Sequence, residues 1–259
     1  MKVLLLGHEI AYSASPTMHG AAFKAAGLDG WTYDLLDVPP DELAAAVETL
    51  REDGFAGANV TIPHKVRVMP LLDDLEGEAE AAKAVNTIRR EGRRLIGSNT
   101  DVAGIRAALA QVSIDSMGAR AVVLGAGGSA RAAAVALKGA DLTFVARRPQ
   151  LAATLPGRAL AWADPFWPDE VRSADLLLNA TPLGRQGEMP LDAAQLPNAG
   201  AVIDLVYASG GTPLIEAAKA NGLRAADGWT VLVAQGAAAF EAWTGKRAPV
   251  EAMRQAVAG

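Results

Sequence analysis

The segment AVVLGAGGSARAAAVALKGADLTFVARRP, residues 121–149, narrows most sharply what this chain can fold into. Four apolar residues, Ala121 to Leu124, run into Gly125, Gly127 and Ala130, which satisfy a GxGxxG/A pattern between a strand and a helix. In such a turn Gly125 permits the bend and Gly127 lets the backbone approach a pyrophosphate, while the free amides at the helix start hold the anion. The Ala-rich helix is expected to end near Gly139, and Leu142 to Val145 reads as a second strand. Strand, turn, helix and strand in this order imply a parallel sheet flanked by helices, with a dinucleotide as ligand.

The end of the second strand bears on which dinucleotide. An NAD site usually carries an acid there, whose carboxylate accepts hydrogen bonds from ribose hydroxyls. Ala146, Arg147 and Arg148 stand at that place. A carboxylate would repel a 2′-phosphate, whereas guanidinium groups bind one through paired hydrogen bonds and charge, so NADP is favoured.

Several function classes fall away on composition. With 259 residues, 51% of them hydrophobic and 20% charged, the chain is long enough for two compact α/β domains. A net charge of -5 and Lys/Arg tracts no longer than two residues argue against nucleic acid and anionic membranes as partners, leaving small molecules. The apolar run Val3 to Leu6 is too short for a signal peptide, no stretch approaches a membrane span, and there is no cysteine, so a cytoplasmic protein is expected. His8, His19 and His64 lack metal-ligand spacing, so no metal is expected. Ser129 lies outside any GxSxG elbow, and Phe240 and Arg247 spoil the P-loop likeness around Gly245-Lys246.

Strand-like and helix-like segments also alternate through the first hundred residues. Lys2 to Leu6 is a strand, Ser15-Pro16 reads as a cap and first-turn proline of a helix ending near Gly27, and Thr32 to Val38 is a second strand. A helix over Asp41 to Arg51 leads to NVTIPHK, where Val60 to Ile62 reads as a buried strand and Pro63 as the start of a helix with Lys65 in its first turn. Amide dipoles disfavour a cation there, which is a reason to suspect function. VNTIRREGRRLIGSN reads as a hairpin turning at Glu91-Gly92, so that Asn86 faces Gly97 and lies close to Asn99, Thr100 and Asp101. Hydride transfer between alcohol and ketone also moves a proton at oxygen; Lys65 suits that role, with Asp101 as partner or, alternatively, as a plain helix cap.

Eight blocks then carry a resemblance. Ser13-Ala14-Ser15-Pro16, NVTIPHK, Ala84-Val85-Asn86-Thr87, Asn99-Thr100-Asp101, GAGGSAR at 125 to 131, Asn179 to Gly184, Asp204 to Tyr207 and LVAQGAAAFEAWTG at 232 to 245 together make the chain resemble the shikimate dehydrogenases. The resemblance implies NADP-linked interconversion of 3-dehydroshikimate and shikimate on the route to aromatic amino acids. It implies Lys65 and Asp101 as the catalytic pair. Ser13, Ser15, Thr61, Asn86, Tyr207 and Gln235 would bind substrate. Gly125, Ala126, Gly127, Gly128, Ser129, Ala130 and Arg131 would form the phosphate turn and Ala146, Arg147 and Arg148 the 2′-phosphate site. Thr181, Leu205, Gly228 and Val231 would complete the cofactor contacts.

The architecture implied is an α/β substrate domain, residues 1–101 with about 233–259, and a Rossmann-type doubly wound NADP domain, residues 102–232, acting as a monomer or homodimer. Departures from the family pattern include Tyr12, Lys83, Ala146, Arg148 and Thr230-Val231. A quinate-active relative using NAD, and a dinucleotide sensor without turnover, remain the alternatives.

Overall fold

The structure, a computed structural model, describes residues 1–257. In chain order the first elements are β1 (Lys2–Gly7), α1 (Ser15–Ala25), β2 (Thr32–Asp37), α2 (Leu43–Thr49), β3 (Phe55–Val60) and β4 (Asp74–Leu75). They are followed by α3 (Ala79–Ala82), β5 (Thr87–Glu91), β6 (Arg94–Ser98) and α4 (Asp101–Gln111). Next come β7 (Arg120–Leu124), α5 (Gly128–Ala136), β8 (Asp141–Ala146), α6 (Pro149–Ala152), β9 (Arg158–Ala161), α7 (Trp167–Ser173) and β10 (Leu176–Asn179). The chain ends with β11 (Ala201–Asp204), α8 (Pro213–Ala220), β12 (Arg224–Ala226), α9 (Gly228–Thr244) and α10 (Val250–Val257). It divides into two compact units, Met1–Asp101 with the chain from Leu232 onward, and Val102–Val231.

The first unit holds a six-stranded mixed sheet in the order β2-β1-β3-β5-β6-β4. β1 runs parallel to both neighbours, and its Val3, Leu4, Leu5 and Leu6 are all buried, as an unbroken apolar strand covered on both faces requires. One face packs Leu4, Leu6 and Val60 against Val38, Leu43 and Leu50. α10 lies against α1, bringing the last helix back to the first.

The second unit is a parallel six-stranded sheet ordered β12-β11-β10-β7-β8-β9. Read from β7, the strand order reverses between β7 and β10, the switch-point arrangement of doubly wound dinucleotide-binding sheets. Ala-rich α5 packs closely, with Ala130, Ala132 and Ala133 fully buried beside Val123 and Phe144.

Three local expectations are corrected. Ala14, not Ser15, occupies the N-cap of α1, and Ser15 is its first residue; the Ser13 Oγ accepts from the Ser15 amide at 3.3 Å, taking the role assigned to Ser15. The hairpin turns at Gly92-Arg93, so Glu91 pairs with Arg94 and Ile88 with Gly97. Gly92 has φ +61°, and a two-residue hairpin that needs positive φ at its first central position selects the glycine over Glu91. The register moves by two, which keeps every side chain on its face. Third, no helix opens at Pro63: residues 62–68 form consecutive turns, the Ile62–Pro63 bond is cis and Ile62 is 47% exposed. Tertiary partners outcompete helical ones here, since the Lys65 carbonyl accepts from Val85 N–H at 2.7 Å and Met69 N–H turns to Val66.

His19 on α1 is wholly buried in an aromatic cluster, stacked 4.5 Å from Tyr33 and tilted against Trp243 at 5.3 Å, and neither ring nitrogen has a hydrogen-bond partner. Burial pulls its pKa down to about 3. The unfolded chain therefore binds a proton more readily than the native one; the neutral ring's contribution is complete above about pH 6.5 and is lost as pH falls from there toward 3. Urea-unfolding midpoints followed by fluorescence are expected to fall on acidification in the wild type and to fall less in His19→Phe. Parallel pH curves would contradict this.

Candidate active site

NVTIPHK ends as a scaffolded turn. Thr61 N–H bonds the Leu6 carbonyl at 2.8 Å, and His64 is buried with Nε2 donating to the Val38 carbonyl at 2.7 Å. With His64 anchored inward and the Lys65 carbonyl tied to Val85, the Lys65 ammonium reaches Asp101 and donates to Oδ2 at 2.6 Å. The two side chains are only 13% and 12% exposed. Asp101 is the first residue of α4, where the helix dipole favours an anion.

Asn86 is the hub around this pair. Its Oδ1 accepts from Thr100 N–H at 2.7 Å, which turns Nδ2 toward Asp101 Oδ1 at 2.8 Å and Gln235 Oε1 at 3.3 Å. Gln235 also donates through Nε2 to the Leu232 carbonyl one turn back on α9. Two turns further along, Trp243 donates its indole N–H to the Ile88 carbonyl at 2.9 Å, holding α9 against β5. A Cβ on Gly57 would stand 2.0 Å from that carbonyl and 2.8 Å from the indole nitrogen, so a glycine is required for the contact.

Four sequence-selected residues, Lys65, Asn86, Asp101 and Gln235, thus meet through hydrogen bonds from segments far apart in the chain. Ser13 and Ser15 follow β1, and Thr61 follows β3, its parallel neighbour. They sit beyond the carboxyl ends of these strands, the side of an α/β sheet that binds ligands. Sequence reasoning missed Tyr33, Asn59 and Thr87, buried polar residues bonded into the same network. Asn59 alone gave a signal, a polar residue inside the apolar run of β3; Tyr33 and Thr87 lie on strands that already carry charged residues.

In the second unit Gly125 leaves β7 with φ +114°, its backbone close to Ala180, and a Cβ on Gly127 would meet nothing within 4 Å. Ala130, at the third position of the fingerprint, is fully buried under α5. Gly128 and Ser129 open that helix, and Arg131 donates to Thr154 Oγ1 at 3.0 Å. Ala146 is buried at the end of β8, with Arg147 and Arg148 exposed just beyond it. Thr181 lies past β10 and Leu205 past β11; Gly228 starts α9 so close to Val206 that a Cβ would fall 2.5 Å from its carbonyl carbon. Val231 is buried on α9. Tyr207 packs its ring 4.6 Å from Trp229.

Asp204, unanticipated in this role, is wholly buried between these segments. It accepts from Asn179 Nδ2, Val206 N–H and the Thr212 hydroxyl at 2.7–3.0 Å. Asn179 also receives Thr181 N–H, so the turn after β10 is shaped by this polar core.

A family model described as the shikimate dehydrogenase substrate binding domain matches residues 5–88, and one described as the shikimate 5'-dehydrogenase C-terminal domain matches residues 228–258. A shikimate dehydrogenase (NADP(+)) of Moorella thermoacetica is 44% identical over 97% of this chain and 90% of its own. The chain belongs to the shikimate dehydrogenase family. Its fold follows that of the family: the solved shikimate 5-dehydrogenase of Thermus thermophilus, in complex with NADP(H) and shikimate, is 37% identical with a TM-score of 0.88, covering 99% of this chain and 98% of that one. The fold also extends to a differently named enzyme. The ligand-free 5-ketofructose reductase of Gluconobacter sp. strain CHM43 is 34% identical with a TM-score of 0.82, covering 99% of this chain and 97% of that one.

Burial pushes the Asp204 carboxyl up to about 6, against the pull of its hydrogen bonds from Thr212, Val206 and Asn179. The neutral carboxyl is favoured in the fold. Its contribution is complete below about pH 3.8 and is lost as pH rises through about 6, the reverse of the trend from His19. Relative to Asp204→Asn, the wild type is expected to lose unfolding midpoint between pH 4 and 6.5. A constant difference between the two proteins over that range would refute the assignment.

Proposed function

We propose that the protein is an NADP-dependent oxidoreductase interconverting 3-dehydroshikimate and shikimate, a step on the route to aromatic amino acids. The single observation that carries this reading is the Lys65–Asp101 pair at 2.6 Å, held on both oxygens of Asp101 by Lys65 and Asn86. Family membership and the NADP(H) and shikimate bound in the Thermus thermophilus relative support the choice of substrate and cofactor.

When bound, the nicotinamide supplies the site that gives or takes hydride at the ring carbon. The chain's own residues supply the rest. In the reducing direction the Lys65 ammonium gives its proton to the ketone oxygen as that carbon becomes an alcohol; in the oxidising direction the free amine takes it back. Asp101 orients Nζ and offers an acceptor to the same hydroxyl. Ser13 and Ser15 grip the substrate carboxylate, and Thr61, Asn86 and Gln235 bind ring hydroxyls or the same anion. Many directional bonds suit a small polyhydroxylated acid, which has little apolar surface to select by.

The second unit fits NADP on its own geometry. The space over Gly127 admits a pyrophosphate against the α5 amides, and Gly125, Ala126, Gly128, Ser129, Ala130 and Arg131 frame that turn. Arg147 and Arg148 stand exposed where a 2′-phosphate needs cations, beside Ala146. Thr181, Leu205, Gly228 and Val231 complete the cofactor side.

Initial rates of nicotinamide reduction with shikimate or quinate, and NADP or NAD, test the reading. Turnover is expected with shikimate and NADP, and silence with that pair while NADP still binds would sink it. Lys65→Met is expected to lower kcat by about 10²- to 10⁴-fold while NADP still binds. Arg147→Ala is expected to raise KM for NADP about tenfold with little change for NAD; equal changes would remove the 2′-phosphate role.

A further inference from the structure

The amide of Asn86 must face Asp101 with its nitrogen, yet a primary amide carries an oxygen of nearly the same size and would turn over at little steric cost. Part of the answer is backbone: Thr100 N–H donates to Oδ1. The remainder lies behind Asn86, in buried groups that no catalytic role requires. Asn59 on β3 sits opposite Thr87 on β5. Its Nδ2 donates to the Asn86 carbonyl and to Thr87 Oγ1, both at 3.0 Å, while its Oδ1 accepts from the Tyr33 hydroxyl at 2.8 Å. The Asn86 backbone carbonyl can only accept, so Asn59 must present Nδ2 to it, which leaves Oδ1 for the Tyr33 hydroxyl.

The lock has a consequence for Thr87. A hydroxyl has one proton, and Asn59 occupies one of its lone pairs, so that proton is directed forward. Two acceptors stand ahead of it, Asn86 Oδ1 at 3.1 Å and Thr100 Oγ1 at 3.0 Å, and Thr100 Oγ1 itself lies 3.2 Å from Asn86 Oδ1 and 3.0 Å from its Nδ2. A donor path open to these groups runs from Tyr33 to Asn59, from Asn59 to Thr87, from Thr87 to Asn86, and from Asn86 to Asp101. We propose that Asn59 and Thr87 are positioning residues that set the donor direction of Asn86 toward Asp101. The pair touches no reacting atom and works through Asn86. The inference rests on the function proposed above only in what the oriented Asp101 is for.

Asn59→Asp keeps the shape but replaces both donor hydrogens with an acceptor, so the Thr87 hydroxyl turns back to it and leaves Asn86. Thr87→Val removes the relay at the next step and decides the matter should the first variant not fold. In folded variants, kcat with shikimate and NADP is expected to fall about tenfold or more, with KM for NADP within about twofold of wild type. The double variant is expected to be no slower than the slower single one, since both break one chain. The Asn86 side-chain amide protons, assigned by NMR against Asn86→Asp, are expected to exchange about tenfold faster in each variant. A kcat within about twofold of wild type, multiplicative losses in the double variant, or unchanged exchange would each overturn the proposal. If the wild type turned over no shikimate, the function proposed above would fail, and the exchange rates alone would still decide this one.

Discussion

The hydrogen bond between Lys65 and Asp101 is the constraint around which the first unit is arranged. Two charges mostly withdrawn from water lose hydration, and their attraction offsets that loss only where geometry is good and the remaining lone pairs are satisfied. The structure meets both conditions. Lys65 is delivered by a turn whose backbone and neighbouring histidine are bonded to Val85 and Val38, and the second oxygen of Asp101 is met by Asn86. These supports come from two segments, the chain just past β2 at Val38 and Val85-Asn86 just ahead of β5, so the pair depends on the assembled sheet.

The two units balance buried polarity differently. In the first, His19 is a neutral ring in an aromatic cluster with no hydrogen-bond partner, so acid works against the fold. In the second, Asp204 is a carboxyl surrounded by donors yet buried enough to favour its neutral form, so base works against it. Between about pH 3.8 and 6 the two dependences run in opposite directions and offset one another. Neither group belongs to the proposed chemistry; each shapes the platform beneath a site, His19 through Tyr33 and Asp204 through the turn after β10.

Much of the fold was legible because local chemistry and tertiary structure agreed. The glycine fingerprint, its flanking apolar strands and the alanine-rich helix all serve a doubly wound sheet, and no partner elsewhere needs to override them. One misreading came from a distant group and two from local cap and turn geometry. Pro63 looked like a helix start, but the Lys65 carbonyl is claimed by Val85. Ser15 looked like a cap, but Ser13 satisfies its amide. The hairpin turn was placed one residue early because Glu91-Gly92 is a plausible pair on composition, whereas the positive φ falls at Gly92 as the first turn residue. Asn59 and Asp204 gave only the weak signal of a polar residue in an apolar strand, and Thr87, in the strand TIRRE, gave none.

By itself the sequence determined the α/β class and the position of the glycine turn after β7, which follow from local patterning, and it singled out Lys65, Asn86, Asp101 and Gln235 as candidates for a site. It could not determine which of those residues meet. Lys65 is 36 positions from Asp101, and Asn86 is 149 from Gln235, and their contacts exist because the turn after β3, the segment ahead of β5, Asp101 and the chain returning from Leu232 come together within the first unit. The direction of the amide at Asn86 was likewise a tertiary decision. An asparagine in a sequence has two interchangeable ends, and only the donors and acceptors that the fold places around it choose between them.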